Sequence, residues 1–203
     1  MVASSDRILM PSEAFLTWEE KQEWKHEYLN GEAYAMAGGT LAHNDIAVNL
    51  TALLKPYLRD RGCKVRMADA KVQIREKGPF FYPDVVVTCD QVDQRATQVI
   101  QSPCLVIEVL SPSTEGYDRG EKFRQYRRLP SLTEYVLINA ESWGIEVFRL
   151  NQQNHWELVQ DLTTDTAENL NQLNLHLSSI DFHCSLADIY DDVIFPESAT
   201  PTS

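Results

Sequence analysis

The sequence predicts a mixed α/β (α+β) fold in which helices flank a central β-sheet. Apolar strand-like runs alternate with segments of helical periodicity, and several strand-like segments follow one another in the last third of the chain. The run Cys104–Leu110 is apolar at every position but one, which is typical of a strand buried on both faces. With 203 residues the chain can form an ample core, and we expect a single domain at residues 1–195 and a disordered tail at 196–203.

A helix and a hairpin are expected first. Residues 11–24 carry apolar and acidic side chains at helical spacing, and Ser12 is a candidate N-cap. Within residues 26–36, the pair Asn30-Gly31 predicts a tight hairpin turn, because both residues tolerate a positive φ.

The longest predicted helix covers residues 41–61, where apolar side chains recur at helical spacing and form one stripe. Thr40 is a candidate N-cap, and Gly62 is a candidate C-terminal stop. Pro56 lacks the backbone N–H that a helix interior needs, so it predicts a kink or an early end of this helix.

The remainder of the chain predicts mainly strands, with one helix at residues 118–128 and one at 185–193. The strands are expected at residues 64–74, 81–89, 104–110, 134–139, 145–150, 156–160 and 170–177. The strands at residues 145–150 and 156–160 are expected to pair as an added C-terminal β-meander, with residues 170–177 as a further strand.

The net charge of −12 argues against a polyanionic partner, because proteins that bind nucleic acids usually present a basic surface. Salt screens exposed charges beyond about 8–10 Å, however, so the charge near a site matters more than the total. The segment that follows Cys104–Leu110 is locally basic and contains Arg119, Lys122, Arg124, Arg127 and Arg128.

The cysteines and the apolar runs indicate a compartment. The four cysteines are scattered and form no CxxC pair, so we expect buried free thiols rather than a zinc ribbon, at Cys63, Cys89, Cys104 and Cys184. No run approaches the roughly 18 apolar residues of a transmembrane helix, and the N-terminus lacks the apolar core of a signal peptide. A soluble cytoplasmic protein without a membrane partner is the expectation.

Glu108 is the energetic anomaly of the sequence. It places one carboxylate in the middle of the apolar run Cys104–Leu110. An ionised carboxylate that is removed from water costs roughly several kcal/mol unless a partner compensates it. Glu108 therefore needs a metal ion, a basic side chain or a proton that the fold brings to it.

Asp84 is the expected neighbour of Glu108, because it lies in a second apolar run that should pair with the first. Two strand-borne carboxylates with open positions between them suit Mg²⁺, which binds one or two carboxylates together with water and phosphate. Lys122 can reach towards them from the following helix. The alternatives are a buried salt bridge between these residues and an exposed i,i+4 pair between Lys122 and Asp118.

A longer pattern surrounds these residues. It runs through His26-Glu27-Tyr28-Leu29-Asn30-Gly31-Glu32, His43, Tyr82-Pro83-Asp84-Val85-Val86-Val87, the stretch from Leu105 to Thr114, Asp118, Glu121-Lys122, Tyr126 and Glu134-Tyr135-Val136-Leu137. Pro83-Asp84, the strand with Glu108 and the nearby lysine resemble the PD-(D/E)xK nuclease superfamily. The larger pattern, over roughly residues 10–150, resembles the Uma family of putative restriction endonucleases, a domain of unknown function.

The resemblance implies a restriction-endonuclease-like fold and hydrolysis of DNA phosphodiester bonds with Mg²⁺, for which Mn²⁺ can substitute. It implies that Asp84, Glu108 and the Val109 carbonyl hold the metal. It also implies that Lys122 orients the attacking water or helps to deprotonate it. The superfamily pattern places its lysine two residues after the acid, where this chain has Leu110, so Lys122 takes over in this branch.

Four residues are candidates for accessory roles. His43 contacts a phosphate or a metal-bound water, or instead packs or caps at the start of the long helix. Glu32 is the expected additional acid from the N-terminal region, whereas Glu27 is expected at the surface. Asp118 accompanies Lys122, and Tyr126 is either a core aromatic residue or an accessory group.

Three functions follow as alternatives. The first is a Mg²⁺-dependent DNA endonuclease, for which a homodimer is compatible with the cleavage of two strands. The second is a catalytically silent binding or assembly protein on the nuclease fold, which the negative charge favours. The third is a metal-dependent phosphoesterase that acts on RNA or a small substrate with the same carboxylates.

Overall fold

The computed structural model describes residues 8–36 and 38–196, so the tail expected at 196–203 lies outside the described residues apart from Pro196. The helices are α1 (Ser12–Glu19), α2 (Leu41–Leu58), α3 (Gln91–Arg95), α4 (Glu115–Tyr117), α5 (Phe123–Tyr126) and α6 (Leu186–Ile189). The strands are β1 (Ile8–Leu9), β2 (His26–Leu29), β3 (Glu32–Ala35), β4 (Lys64–Met67), β5 (Lys71–Gln73), β6 (Phe80–Phe81), β7 (Val85–Thr88), β8 (Val99–Ile100), β9 (Leu105–Leu110), β10 (Glu134–Asn139), β11 (Gly144–Leu150), β12 (Trp156–Thr163), β13 (Asn174–Leu177) and β14 (Phe182–Ser185).

Two six-stranded sheets and a small hairpin organise these strands. The first sheet has the order β1-β3-β2-β6-β5-β8, the second has the order β12-β11-β10-β9-β7-β4, and β13 pairs with β14. Among the described residues, only β9–β10 and β5–β8 pair in parallel, and the other pairs are antiparallel. The predicted mixed α/β class with helices around a central sheet is therefore confirmed.

The second sheet lies in the middle of the molecule. One face, with Val85, Ile107 and Val136, packs against α2 and the β13–β14 hairpin. The opposite face, with Val86 and Val106, packs with residues of the first sheet and of the helical segment that contains α5. Because both faces of β9 are covered, each of its six residues is buried, as the unbroken apolar run predicts.

The long helix and the hairpin form where the sequence predicts them. Asn30 and Gly31 adopt φ values of 52° and 92°, which is the conformation that the tight turn requires. The hydroxyl of Thr40 accepts a hydrogen bond from the His43 backbone N–H at 3.2 Å and so caps α2. Pro56 lies in the last turn of α2, two residues before the helix ends. No helix among residues 8–36 and 38–196 combines the length and apolarity that a membrane crossing requires.

Several predicted elements are shorter or divided. The expected strand at 64–74 is broken at Ala68, which has a φ of 53°, so that β4 joins the second sheet and β5 joins the first. The expected first helix ends early, at Glu19, and its N-cap position is occupied by Pro11 rather than by Ser12. At the C-terminus, β13 is the end of the expected 170–177 strand, and α6 is the shorter form of the expected 185–193 helix.

The prediction of four free thiols is wrong. Cys63 and Cys89 form a disulfide bond, whereas Cys104 and Cys184 are free and partly buried. The register of β4 and β7 explains this contact. Lys64 lies opposite Thr88 in the antiparallel pair. Cys63 and Cys89 are the next residues beyond this pair, so they face each other.

Candidate active site

The register of two strands brings the predicted carboxylates together. In the antiparallel pair of β7 and β9, Val85 lies opposite Ile107. One step further along this ladder, Asp84 comes level with Glu108. Asp84 lies just before β7 rather than within a continuous strand from 81 to 89, because the chain passes from the first sheet into the second between β6 and β7.

Lys122 is the centre of the charged cluster. Its Nζ atom lies 3.0 Å from Glu27 Oε1, 3.2 Å from Glu108 Oε1 and 3.4 Å from Asp118 Oδ1. All four residues are buried. The exposed i,i+4 pair between Lys122 and Asp118 is therefore not what the structure shows. The ammonium group instead joins three carboxylates that come from β2, β9 and its own helical segment.

The helical segment that carries Lys122 is irregular at the site. It begins as α4, passes through a π-helical turn at Asp118–Lys122 and continues as α5. Such turns are rare and occur frequently at functional sites. Both ends of this turn are buried in the charged cluster, and Tyr135 fixes the turn by donating its hydroxyl to the Asp118 carbonyl at 2.9 Å.

Burial and repulsion between the acids perturb their ionisation. Burial raises the pKa of Glu108 well above its usual value, and the charges of Asp118, Asp84 and Glu27 raise it further against the opposing effect of the ammonium group. Burial also raises the pKa of Glu27 and that of Asp118. One lysine therefore does not fully compensate these carboxylates.

The pKa of Lys122 is raised as well, but by its carboxylate partners rather than by burial. Burial alone would lower the pKa of Lys122, but Glu108, Glu27 and Asp118 together raise it well above its usual value. Lys122 is therefore protonated at neutral pH and carries the positive charge on which the cluster depends.

Asp84 is held by a second set of contacts. Its Oδ2 atom accepts the Val109 backbone N–H at 2.7 Å and lies 3.2 Å from His43 Nε2. Burial alone would lower the pKa of His43, but the hydrogen bond to Asp84 and its charge raise it. The structure thus brings the predicted residues Asp84, Glu108, Val109 and His43 to one place.

These residues border a cleft of about 120 Å³. Its wall includes the predicted residues Asp84, Glu108, Val109, His43, Asp118 and Lys122, together with Glu27, Tyr34, Tyr82, Tyr117 and the hydroxyl residues Ser111, Ser113 and Thr114. The cleft thus contains Glu27 where the sequence favoured Glu32, and this expectation is corrected. Glu32 lies on β3 and accepts a hydrogen bond from the Tyr34 hydroxyl.

Glu27 is the site residue that the sequence reasoning missed. Alternation along β2 predicts one buried and one exposed face, but every residue of β2 is buried. The side chain of Glu27 also accepts the Tyr82 backbone N–H at 3.2 Å, so it links β2 to the segment that carries Asp84. The sequence does place Glu27 within the motif from His26 to Glu32, but alternation alone does not show whether its side chain faces the site.

Tyr126 is buried behind the cluster and does not border the cleft. Its hydroxyl has no hydrogen-bond partner among the described residues, and burial raises its pKa well above the usual value. Because a buried hydroxyl without a partner is unfavourable, Tyr126→Phe is expected to raise the free energy of unfolding by about 1 kcal/mol. Urea denaturation measures this change.

Tyr135→Phe is the matched control for that substitution. The Tyr135 hydroxyl has a partner in the Asp118 carbonyl, so its removal should lower the free energy of unfolding by about 1 kcal/mol. Equal losses in the two variants would contradict the assignment of Tyr126 as a core residue without a polar partner.

Two proteins of Synechocystis sp. are similar to this chain in sequence. The chain is 42% identical over 171 residues to "Uncharacterized protein slr1290" of Synechocystis sp., a match that covers 83% of this chain and 90% of the relative. It is 33% identical over 170 residues to "Uncharacterized protein sll1609" of the same organism, covering 83% and 95%. Neither name assigns an activity.

The fold is also found in a solved structure. A crystal structure described as "a putative nuclease belonging to DUF820" from Anabaena variabilis matches with a TM-score of 0.68 at 15% identity, covering 89% of this chain and 97% of that chain. At that identity the match shows the shared restriction-endonuclease-like fold. The model of the Uma2 family, described as "Putative restriction endonuclease", matches residues 12–181. The chain therefore belongs to the Uma2 family.

Proposed function

We propose that the protein is a Mg²⁺-dependent endonuclease that hydrolyses phosphodiester bonds of DNA in the cleft around Asp84 and Glu108. The observation that carries this proposal is the charge balance of the cleft. Four carboxylates share one lysine and one histidine there. Lys122 contacts Glu27, Glu108 and Asp118, and His43 contacts Asp84. This arrangement leaves negative charge that a divalent cation would neutralise.

The donor atoms fit a hard cation. Within the described part of the chain, the contacts of Asp84 engage Oδ2 and those of Glu108 engage Oε1. The second oxygen of each carboxylate is left to bind an ion, and oxygen ligands are those that Mg²⁺ prefers. Asp84, Glu108 and the Val109 carbonyl would hold the metal, and Mn²⁺ can take its place. Bound Mg²⁺ would lower the pKa of a water molecule and stabilise charge on the phosphate.

The residues of the chain supply position and charge for hydrolysis. Lys122 Nζ lies 3.2 Å from Glu108 Oε1, and we assign it the orientation of the attacking water. Attack of the water oxygen on phosphorus breaks the bond between phosphorus and the leaving sugar oxygen. The water proton passes to solvent, and the leaving oxygen takes a proton from solvent, because the cleft opens at Asp84, whose side chain is 21% exposed.

The first turn of α2 supports a phosphate-containing substrate. Gly39 and His43 border the cleft on the side of this helix N-terminus, where free backbone N–H groups and the helix dipole favour an anion. His43 adds a side-chain donor next to Asp84.

A substrate panel tests the proposal. Supercoiled plasmid, single-stranded RNA and bis(p-nitrophenyl) phosphate are incubated with the protein in Mg²⁺, Mn²⁺ or EDTA, and products are followed by electrophoresis or absorbance. Cleavage of the plasmid in either metal but not in EDTA is expected. Cleavage of RNA or of the small ester alone would overturn the DNA assignment, and an absence of all cleavage would favour a silent binding protein.

Glu108→Gln separates a metal ligand from a structural ion pair. The folded-state pKa of Glu108 lies above its usual value, so its contribution to stability is present at low pH and is lost as the pH rises through that pKa. At neutral pH in EDTA, the free energy of unfolding of Glu108→Gln should therefore be about 1 kcal/mol higher than that of the parent. It should also lose Mn²⁺ binding in calorimetry.

Glu168→Gln is the control for this substitution, because it removes the same charge at an exposed residue that does not border the cleft. Glu168→Gln should leave both the free energy of unfolding and Mn²⁺ binding unchanged. A loss of several kcal/mol in Glu108→Gln, with metal binding retained, would instead identify a structural salt bridge.

A further inference from the structure

A second cluster of metal-binding side chains lies on the β13–β14 hairpin. Nitrogen atoms of His176 and His183 and a carboxylate oxygen of Asp181 all lie within 4.8 Å of one another. Among the described residues, this is the one group of three histidine, cysteine or acidic side chains with this spacing. The cluster shares no residue with the cleft around Glu108.

The hairpin register places the two histidines side by side. His176 lies opposite His183 in the antiparallel pair, and their rings stack with centroids 4.0 Å apart and planes at 5°. The next pair along the hairpin, Leu177 and Phe182, is buried in the core. Because side chains alternate between the two faces, the histidines lie on the outer face.

The backbone of the cluster is anchored. Arg149 donates a hydrogen bond to the His176 carbonyl at 3.2 Å, and the His176 N–H donates to Gln160 at 3.0 Å. The Asp181 carbonyl accepts a hydrogen bond from the Tyr57 hydroxyl on α2. Both imidazole rings, in contrast, form no hydrogen bond with any residue that the structure describes. The scaffold is therefore held in place while the ring nitrogens are left to bind a ligand.

We propose that His176, His183 and Asp181 bind a divalent metal ion of the Zn²⁺ class. Two imidazole nitrogens and one carboxylate oxygen suit Zn²⁺, whereas Mg²⁺ prefers oxygen ligands. Stacked rings cannot both direct a nitrogen at one ion, so one ring must turn about χ2, which is a broad torsion. His183 is exposed and can turn. The ion would then cross-link β13, β14 and the turn between them, and a water molecule would complete its coordination.

The test is a calorimetric titration of Zn²⁺ in the presence of excess Mg²⁺. It uses an Asp84→Asn parent so that the cleft does not contribute a second Zn²⁺ site. One bound Zn²⁺ per chain is expected, and His183→Gln should weaken its affinity by at least about 10-fold. Asp181→Asn should do the same, and it keeps a residue that tolerates the φ of 53° found at this position.

His155→Gln is the matched control, because His155 is exposed on the turn between β11 and β12. This variant should bind Zn²⁺ as the parent does. The proposal is overturned if the parent binds no Zn²⁺, or if His183→Gln and Asp181→Asn bind it with the affinity of the parent. The result is independent of DNA cleavage, since the titration requires no substrate.

Discussion

Asp84→Asn is expected to reduce metal-dependent DNA cleavage by at least about 1,000-fold while the fold persists. Loss of a charged ligand removes several kcal/mol of charge stabilisation from the transition state, and each 1.36 kcal/mol corresponds to about a tenfold change in rate. Asparagine has nearly the same shape and can still accept the Val109 N–H that Asp84 accepts at 2.7 Å. Initial rates of plasmid nicking in Mg²⁺ measure the effect.

The control for this prediction is Asp165→Asn, a substitution on an exposed residue between β12 and β13. It changes the net charge by the same amount, so it accounts for any general effect of charge on DNA binding. Cleavage should remain at the parental rate in Asp165→Asn. Undiminished cleavage in Asp84→Asn would refute the assignment of Asp84 as a metal ligand.

Lys122→Met is expected to cause the largest loss of stability, about 3–5 kcal/mol in the free energy of unfolding. Methionine fills a similar volume, but it leaves Glu27, Glu108 and Asp118 buried around a position that no longer carries a positive charge. Removal of one partner from a buried ion cluster is costly for this reason. Urea denaturation at neutral pH in EDTA measures the loss.

The pH dependence of Lys122→Met provides the internal check. Burial already raises the pKa of Glu108 and that of Asp118, and loss of the ammonium group raises them further. Protonation at acidic pH removes the uncompensated charge, so the deficit should shrink as the pH falls through these pKa values. Lys55→Met, on the exposed face of α2, should cost little at any pH. A deficit that is constant with pH would indicate a packing defect instead.

The central residues of the site could be predicted because their signals are local. Glu108 interrupts an apolar run, Asp84 opens another, and Lys122 follows on the next helix. The energetic argument that a buried carboxylate needs a partner holds in the structure, where Lys122 lies 3.2 Å from Glu108. The identity of a bound metal could not follow from this argument alone, because a buried lysine satisfies it equally well.

The features that the sequence did not predict depend on contacts between distant segments. All four residues of β2 are buried, including Glu27. Alternation between buried and exposed positions therefore does not show which way the Glu27 side chain faces. The Cys63–Cys89 disulfide follows from the register of β4 against β7. The break at Ala68 divides residues with strand propensity between two sheets. None of these relations is encoded in a short window of sequence.

The ammonium group of Lys122 has one consequence for the whole molecule. Its three carboxylate partners belong to the first sheet, the second sheet and the helical segment between α4 and α5. No pair of these layers contains the complete cluster, so the cluster exists only when all three are docked. The intact cluster is therefore tied to the cooperative native state, and a partly opened or half-assembled chain would lack it.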